Sequence, residues 1–257
     1  METKKKVERD CLDKTKAYIS FASKATRDII SLLDGEISES ESPDFIIKRK
    51  SGYIGVEHFL VDTLIGKKKA SRNRIRPAEI NRTYNRYHNR LEGNEEKALH
   101  EIESLAQAEV DAIQNFDYSI FIGEFERIVT EHANRTAGYR NQHDEIEQIV
   151  FLVEIPIPGN KMYGLTTGGN WDLIKGERFP LTIDMLMILK KITDKIDYVI
   201  LSIIHDSYTK RAFTVYTFDC NCIEESMAPQ INELFVCFTY DWQMNPKKVT
   251  VKLSLGD

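Results

Sequence analysis

The sequence predicts an α/β protein: a mixed central β-sheet flanked by helices, in one domain spanning residues 1–257, with a long helical insertion at about residues 76–140. Three observations carry that prediction. First, Ile149-Val150-Phe151-Leu152-Val153-Glu154-Ile155 and Tyr198-Val199-Ile200-Leu201-Ser202-Ile203-Ile204 are nearly continuous apolar runs, as strands buried on both faces require. Second, Pro180 to Ile196 lies between them with apolar residues at helical spacing. A strand, a helix and a strand in that order imply a crossover and at least one parallel pair. Third, two short runs flank Lys50-Ser51-Gly52 and read as a β-hairpin.

Composition bounds the function classes. A chain of 257 residues is long enough to bury a substantial core, and its 42% hydrophobic and 29% charged content excludes collagenous, low-complexity and disordered classes. No apolar run reaches the ~20 residues of a membrane span, and no apolar segment follows Lys4-Lys5-Lys6, so neither a membrane protein nor a signal peptide is expected. Cys11, Cys220, Cys222 and Cys237 form no Cys-x-x-Cys pair and read as reduced thiols of a cytoplasmic protein. The net charge of −5 gives no global pull toward nucleic acid, so any attraction has to be local. No His-Glu-x-x-His and no Gly-x-Ser-x-Gly is present, and His100, His132, His143 and His205 show no ligand spacing.

Residues 7–34 are expected to be helical, because Ala17, Tyr18, Phe21, Ala22, Ala25, Ile29, Leu32 and Leu33 recur at helical spacing and Gly35 follows as a stop. Glu36 to Ser42 is acidic and serine-rich and reads as a loop. The hairpin comes next, from Ser42 to Lys48 and from Tyr53 to Val61. Pro43 is tolerable at the mouth of its first strand, where no ladder N–H is needed. Asp44 therefore enters the first strand, and Glu57 lies inside the apolar run from Ile54 to Val61. A carboxylate there is costly unless it is paired or binds a cation. Two acids joined by a hairpin make a hard-oxygen site suited to Mg2+ or Mn2+.

Pro43-Asp44 and, after Phe45 to Ile54, Gly55-Val56-Glu57-His58-Phe59 resemble the core of the PD-(D/E)XK nuclease superfamily. A helix followed by a hairpin that carries the acids is also the element order of that family. The resemblance implies a restriction-endonuclease-like core and a nuclease-like domain that hydrolyses nucleic-acid phosphodiester bonds with Mg2+ or Mn2+. It implies that Asp44 and Glu57 hold the metal, with the backbone of His58 as a further ligand. It also implies a lysine two positions beyond the Glu to help activate water, and that position holds Phe59. Lys48 is then the catalytic lysine, or Lys50 beside it on the partner strand. Otherwise the fold no longer cuts, and binds nucleic acid or a protein partner through its helical insertion.

Residues 66–90 contain nine cations, Lys67, Lys68, Lys69, Arg72, Arg74, Arg76, Arg82, Arg86 and Arg90, against the single acid Glu79. Pro77 suits the first turn of a helix running to about Leu91, on which Arg82, Arg86 and Arg90 share a face. Asn81, Asn85 and Asn89 line the next row, with Tyr84, Tyr87 and His88 between. Such a helix serves phosphate contacts and base contacts or stacking. Lys67, Lys68, Lys69, Arg72, Arg74, Arg82, Arg86 and Arg90 are thus the expected contacts to nucleic acid, DNA foremost. The competing explanation is a solvated basic face pairing with the acidic helix after it. That stretch, residues 95–137, carries an apolar stripe from Ile102 to Val129 opposite Glu95, Glu96, Glu101, Glu103, Glu109 and Asp111, with a break near Asn115-Phe116-Asp117 or Gly123. The same stripe is a homodimer surface if the long helices self-associate.

Beyond Glu147, Pro156 and Pro158 are expected to end the first buried strand. Glu154 reads as a strand-end acid at the surface; the alternative is a further ligand beside Asp44 and Glu57. Gly159 to Phe179 reads as a connecting loop, since Gly164-Leu165-Thr166-Thr167-Gly168-Gly169 lacks the Gly-Lys-Ser/Thr ending of a phosphate cradle. Lys190 and Lys191 suit the C-terminal half of their helix, or else reach the site in place of the missing lysine. His205-Asp206 reads as a polar strand terminator. Ala212 to Phe218, Leu234 to Phe238 and Val249 to Leu255 add further strands.

Overall fold

A computed structural model of the chain describes residues 2–61, 118–157, 161–166, 168–173, 181–206, 211–223 and 231–237, with residues 82–83, 86–87, 104–106 and 108–109. In chain order, α1 (Glu2–Ala17) and α2 (Lys24–Ile30) precede β1 (Glu36–Glu39), β2 (Phe45–Arg49) and β3 (Gly52–Leu60). Then come α3 (Tyr118–Ala133), α4 (Thr136–Gln142), β4 (Ile146–Ile157), β5 (Lys161–Thr166), β6 (Trp171–Leu173) and α5 (Ile183–Lys190). The strands β7 (Tyr198–Asp206), β8 (Arg211–Asp219) and β9 (Ile231–Cys237) follow.

The protein is mixed α/β, as expected, with a six-stranded sheet in the order β1-β2-β3-β4-β7-β8. Its middle is parallel: β4 runs parallel to β3 on one side and to β7 on the other, while β1, β2 and β8 pair antiparallel. The run from Ile149 to Ile155 occupies the most enclosed place, which is why it is apolar on both faces. Pro156 does not end β4; it stays in the ladder opposite Ile204. On one face, Phe121, Phe125 and Val129 of α3 and Leu186 and Leu189 of α5 pack against Phe59, Phe151, Val153 and Leu201. On the other, Leu12 of α1 and Ile30 and Leu33 pack against Phe45, Ile54, Val56, Leu152 and Ile200. Phe121, Phe125 and Val129 are fully buried in this chain's own core, so that half of the expected dimer stripe is not a free surface. Gly123 does not interrupt α3; the proposed break at Asn115 to Asp117 lies outside the described residues.

The expected helix over residues 7–34 starts earlier and is broken. Ala22 is extended, with φ −81° and ψ 153°, and Ser23 begins α2 by accepting a hydrogen bond from the Thr26 N–H. The break folds α2 back, so that Ile30 and Leu33 join Leu12 in one core. Glu36 to Glu39 is a strand rather than a loop. Its acids suit an edge, and Glu36 stands opposite Lys48. Gly35 admits this close approach, because a Cβ there would strike the Lys48 carbonyl oxygen and the Ile47 side chain. Gly35→Ala is expected to detach β1 and to lower stability by about 1–3 kcal/mol, read by denaturant unfolding. A midpoint equal to wild type would show that β1 contributes nothing.

The hairpin turn is Lys50-Ser51, closed by Gly52 at φ +135°. The stretch from Gly159 to Phe179 is not all loop: β5 and β6 pair within it, and with β9 they make a three-stranded sheet. Gly168 and Gly169 sit in the β5–β6 turn, where the Thr166 N–H donates to the Asn170 carbonyl. The strand expected over Val249 to Leu255 lies outside the described residues. Among the described residues, no helix is long and apolar enough to cross a membrane.

Candidate metal and catalytic site

The parallel strands β3 and β4 place their acids toward their carboxyl ends, where open α/β sheets bind ligands. Phe45 pairs with Val56, so Asp44, one residue outside that pair, is level with Glu57. Both acids are buried, with 9% of Asp44 and 6% of Glu57 exposed. The Asp44 Oδ2 accepts the backbone N–H of His58 at 2.8 Å. Burial, and then the charge of Glu57, push the Asp44 carboxyl up to about 6, against the smaller opposing effect of that hydrogen bond.

Alternation along β3 sends neighbours to opposite faces of the sheet. Glu57 and Phe59 face α3 and α4. His132, near the end of α3, shares a 2.8 Å hydrogen bond between its Nδ1 and Glu57 Oε1. Burial of Tyr139 on α4, with the negative charge of Glu57, pushes its phenol far above the ordinary value, so it stays protonated. Phe59, at the position where the resemblance calls for lysine, is 6% exposed and stacks on the His132 ring at 4.2 Å.

The lysine that lies beside the acids is one the sequence reading did not select. Lys4 of α1 has its Nζ 3.1 Å from Glu8 Oε1 and 4.0 Å from Asp44 Oδ1. Its pKa is raised, chiefly by Glu8 and further by Asp44 and Glu57, against a partial loss of hydration. Glu8 is itself 5% exposed, and its buried Oε1 has no aligned hydrogen-bond donor. Glu8, Asp44 and Glu57 therefore bring three buried carboxyl groups to one region. By contrast, Lys48 is exposed and lies four positions along β2 from Asp44, about 13 Å at strand rise. Lys50 is exposed in the turn at that same far end. Lys191 is engaged by Glu126 at 2.6 Å.

On the opposite face of β3, the His58 side chain meets Glu154 and Cys11. His58 Nε2 and Glu154 Oε2 are 3.0 Å apart. Glu154 is not a surface acid: it is 7% exposed, opposite Leu60 on β3 and Ser202 on β7. Burial, with the charge of Glu154, pushes the Cys11 thiol far up, against the smaller opposing influence of the nearby Ser202 and Thr15 hydroxyls. Cys11, Cys220 and Cys222 are free thiols. Lys4, Glu8 and Cys11 have one sequence signal, their i, i+4 and i+7 spacing on a helix face, and it appears only if the helix starts before residue 7.

Of the basic strip, Arg82 and Arg86 are described and both are exposed. Arg86 pairs with Glu109 at 2.9 Å and the Tyr87 hydroxyl donates to the same carboxylate at 2.7 Å. At these positions the basic and acidic stretches contact each other. Lys67, Lys68, Lys69, Arg72, Arg74 and Arg90 lie outside the described residues. Comparison with protein-family models, with curated proteins and with solved structures returned no match.

Proposed function

We propose that the chain is a metal-dependent nuclease of restriction-endonuclease-like core, in which Asp44 and Glu57 hold Mg2+ or Mn2+ against a nucleic-acid phosphodiester. One observation carries the reading: Asp44 and Glu57 are buried carboxyl groups level with each other across the β2–β3 hairpin, and the exposed ammonium of Lys4 stands 4.0 Å from Asp44. Buried like charges require a counter-ion. An all-oxygen donor set fits a hard divalent cation. The raised Asp44 carboxyl is relieved by such an ion. A bound magnesium ion supplies a water of lowered pKa and neutralises charge at the scissile phosphate.

The chain's own residues do the rest. The His58 N–H orients Asp44, and His132 orients Glu57. Lys4 supplies positive charge beside Asp44, the part that the lysine at position 59 plays in the resembling family. Arg82 and the remaining cations of the strip would neutralise backbone phosphates, with salt-sensitive affinity.

The test is magnesium calorimetry and cleavage of DNA and RNA by the purified protein. Glu57→Gln and Asp44→Asn are each expected to lower cleavage by about a thousandfold or more, with the fold retained. Cleavage that persists in Glu57→Gln sinks the proposal. The buried Phe59 favours a second reading, a nuclease-like fold that binds without cutting. Nucleic-acid binding with no cleavage by wild type in either metal selects it.

A further inference from the structure

We propose that Cys11, His58 and Glu154 form a zinc-binding centre, separate from the Asp44–Glu57 pair and independent of the nuclease reading. One ligand atom from each of the three lies within 4.8 Å of the others, and all three residues are buried. A thiolate, an imidazole and a carboxylate suit a borderline-soft ion, not magnesium. Ligand atoms bound to one zinc, at about 2.3 Å for sulfur and about 2.0–2.2 Å for nitrogen and oxygen, stand at most about 4.5 Å apart. Small side-chain rotations therefore bring the set into range. Three protein ligands leave one tetrahedral position for a water.

The surroundings are enclosed and polar. Thr15, four residues along α1 from Cys11, and Ser202, opposite Glu154 in the β4–β7 ladder, are fully buried, and their hydroxyls hydrogen-bond each other at 2.6 Å. Outer groups of this kind hold ligands in place and tune a metal. The three ligands come from three elements, α1, β3 and β4. An ion here would fasten α1 to the parallel strands of the sheet, and with it Lys4 and Glu8 beside Asp44. Binding sends the Cys11 thiol proton to solvent. Because the ligands are enclosed, loading belongs with folding.

The experiment is refolding of the full chain with cobalt(II) as the probe, followed by displacement with zinc. Wild type is expected to show thiolate-to-cobalt charge-transfer absorption in the near ultraviolet that rises to one equivalent of cobalt, and to lose it to zinc. Cys11→Ser is expected to abolish the band, and Asp44→Asn/Glu57→Gln to retain it. Thr15→Val is expected to weaken zinc binding about ten- to a hundredfold. Wild type without a thiolate band overturns the proposal. So does a band that survives Cys11→Ser or that disappears in Asp44→Asn/Glu57→Gln. Should Cys11→Ser fail to fold, His58→Gln keeps the thiol and is expected to lose the ion, while retention of the ion overturns the assignment.

Discussion

Asp44→Asn will make the metal-free protein more stable above pH 6, while removing its affinity for magnesium. The Asp44 carboxyl is raised from 3.8 to about 6, first by burial and then by Glu57, with Glu8 adding to it and the His58 N–H and Lys4 opposing it. The unfolded chain keeps the ordinary value. Between 3.8 and about 6 the native state therefore holds the proton more tightly, and stability falls as pH rises through that window. The full shift corresponds to about 3 kcal/mol, reduced by solvent at the partly open rim to about 1–2 kcal/mol. Asparagine keeps an oxygen for the His58 N–H and carries no charge, so it loses the penalty and keeps the contact. Denaturant unfolding from acid to neutral pH should show a slope in wild type and little in the variant. Magnesium should reverse the order, adding about 2.7 kcal/mol to wild type at a hundred times its dissociation constant and nothing to Asp44→Asn. A wild-type profile flat across the window would mean that Asp44 already has a compensating partner, and the case for a cation there would fail.

The part of this site that the sequence shows is the part that one hairpin builds. Pro43 and Gly52 mark the strand limits, and counting inward by alternation puts Asp44 level with Glu57. The parallel core is legible for a related reason: strands enclosed on both faces carry few polar residues, here Glu154 and Ser202, so β4 and β7 stand out as apolar runs. What sequence periodicity does not carry is which distant element covers the acids. Lys4 and Glu8 look like the start of a solvated basic tail until α1 is laid across the sheet. His132 reaches Glu57 from a helix on the other face. Glu154 reads as a surface acid because its partner, His58, is fixed only by the parallel register of β3 against β4. The strand β1 is missed because an edge strand is allowed to be acidic.

Phe59→Ala should cost about 3–5 kcal/mol, a loss that separates packing from a vacated lysine position. The ring is 6% exposed, lies 4.2 Å from the His132 ring at 13°, and meets Phe151 edge-on at 5.2 Å. It therefore does two things: it fills the core under α3, and it holds the imidazole that bonds Glu57. Phe59→Leu tests the two apart. Leucine restores most of the apolar volume but not the stacked face, so stability should recover to within about 1.5 kcal/mol of wild type. His132 then loses its platform, and magnesium affinity should drop even though neither of the acids proposed to hold the metal has changed. Phe59→Lys asks the opposite question. An ammonium at this depth loses its hydration and gains Glu57 as a carboxylate on the same face, one already paired with His132. Desolvation of several kcal/mol outweighs it, and the variant should unfold or populate an expanded state. If it instead folds as well as wild type and cleaves faster, the phenylalanine is a plug in a lysine site. Lys4 would then have no catalytic part.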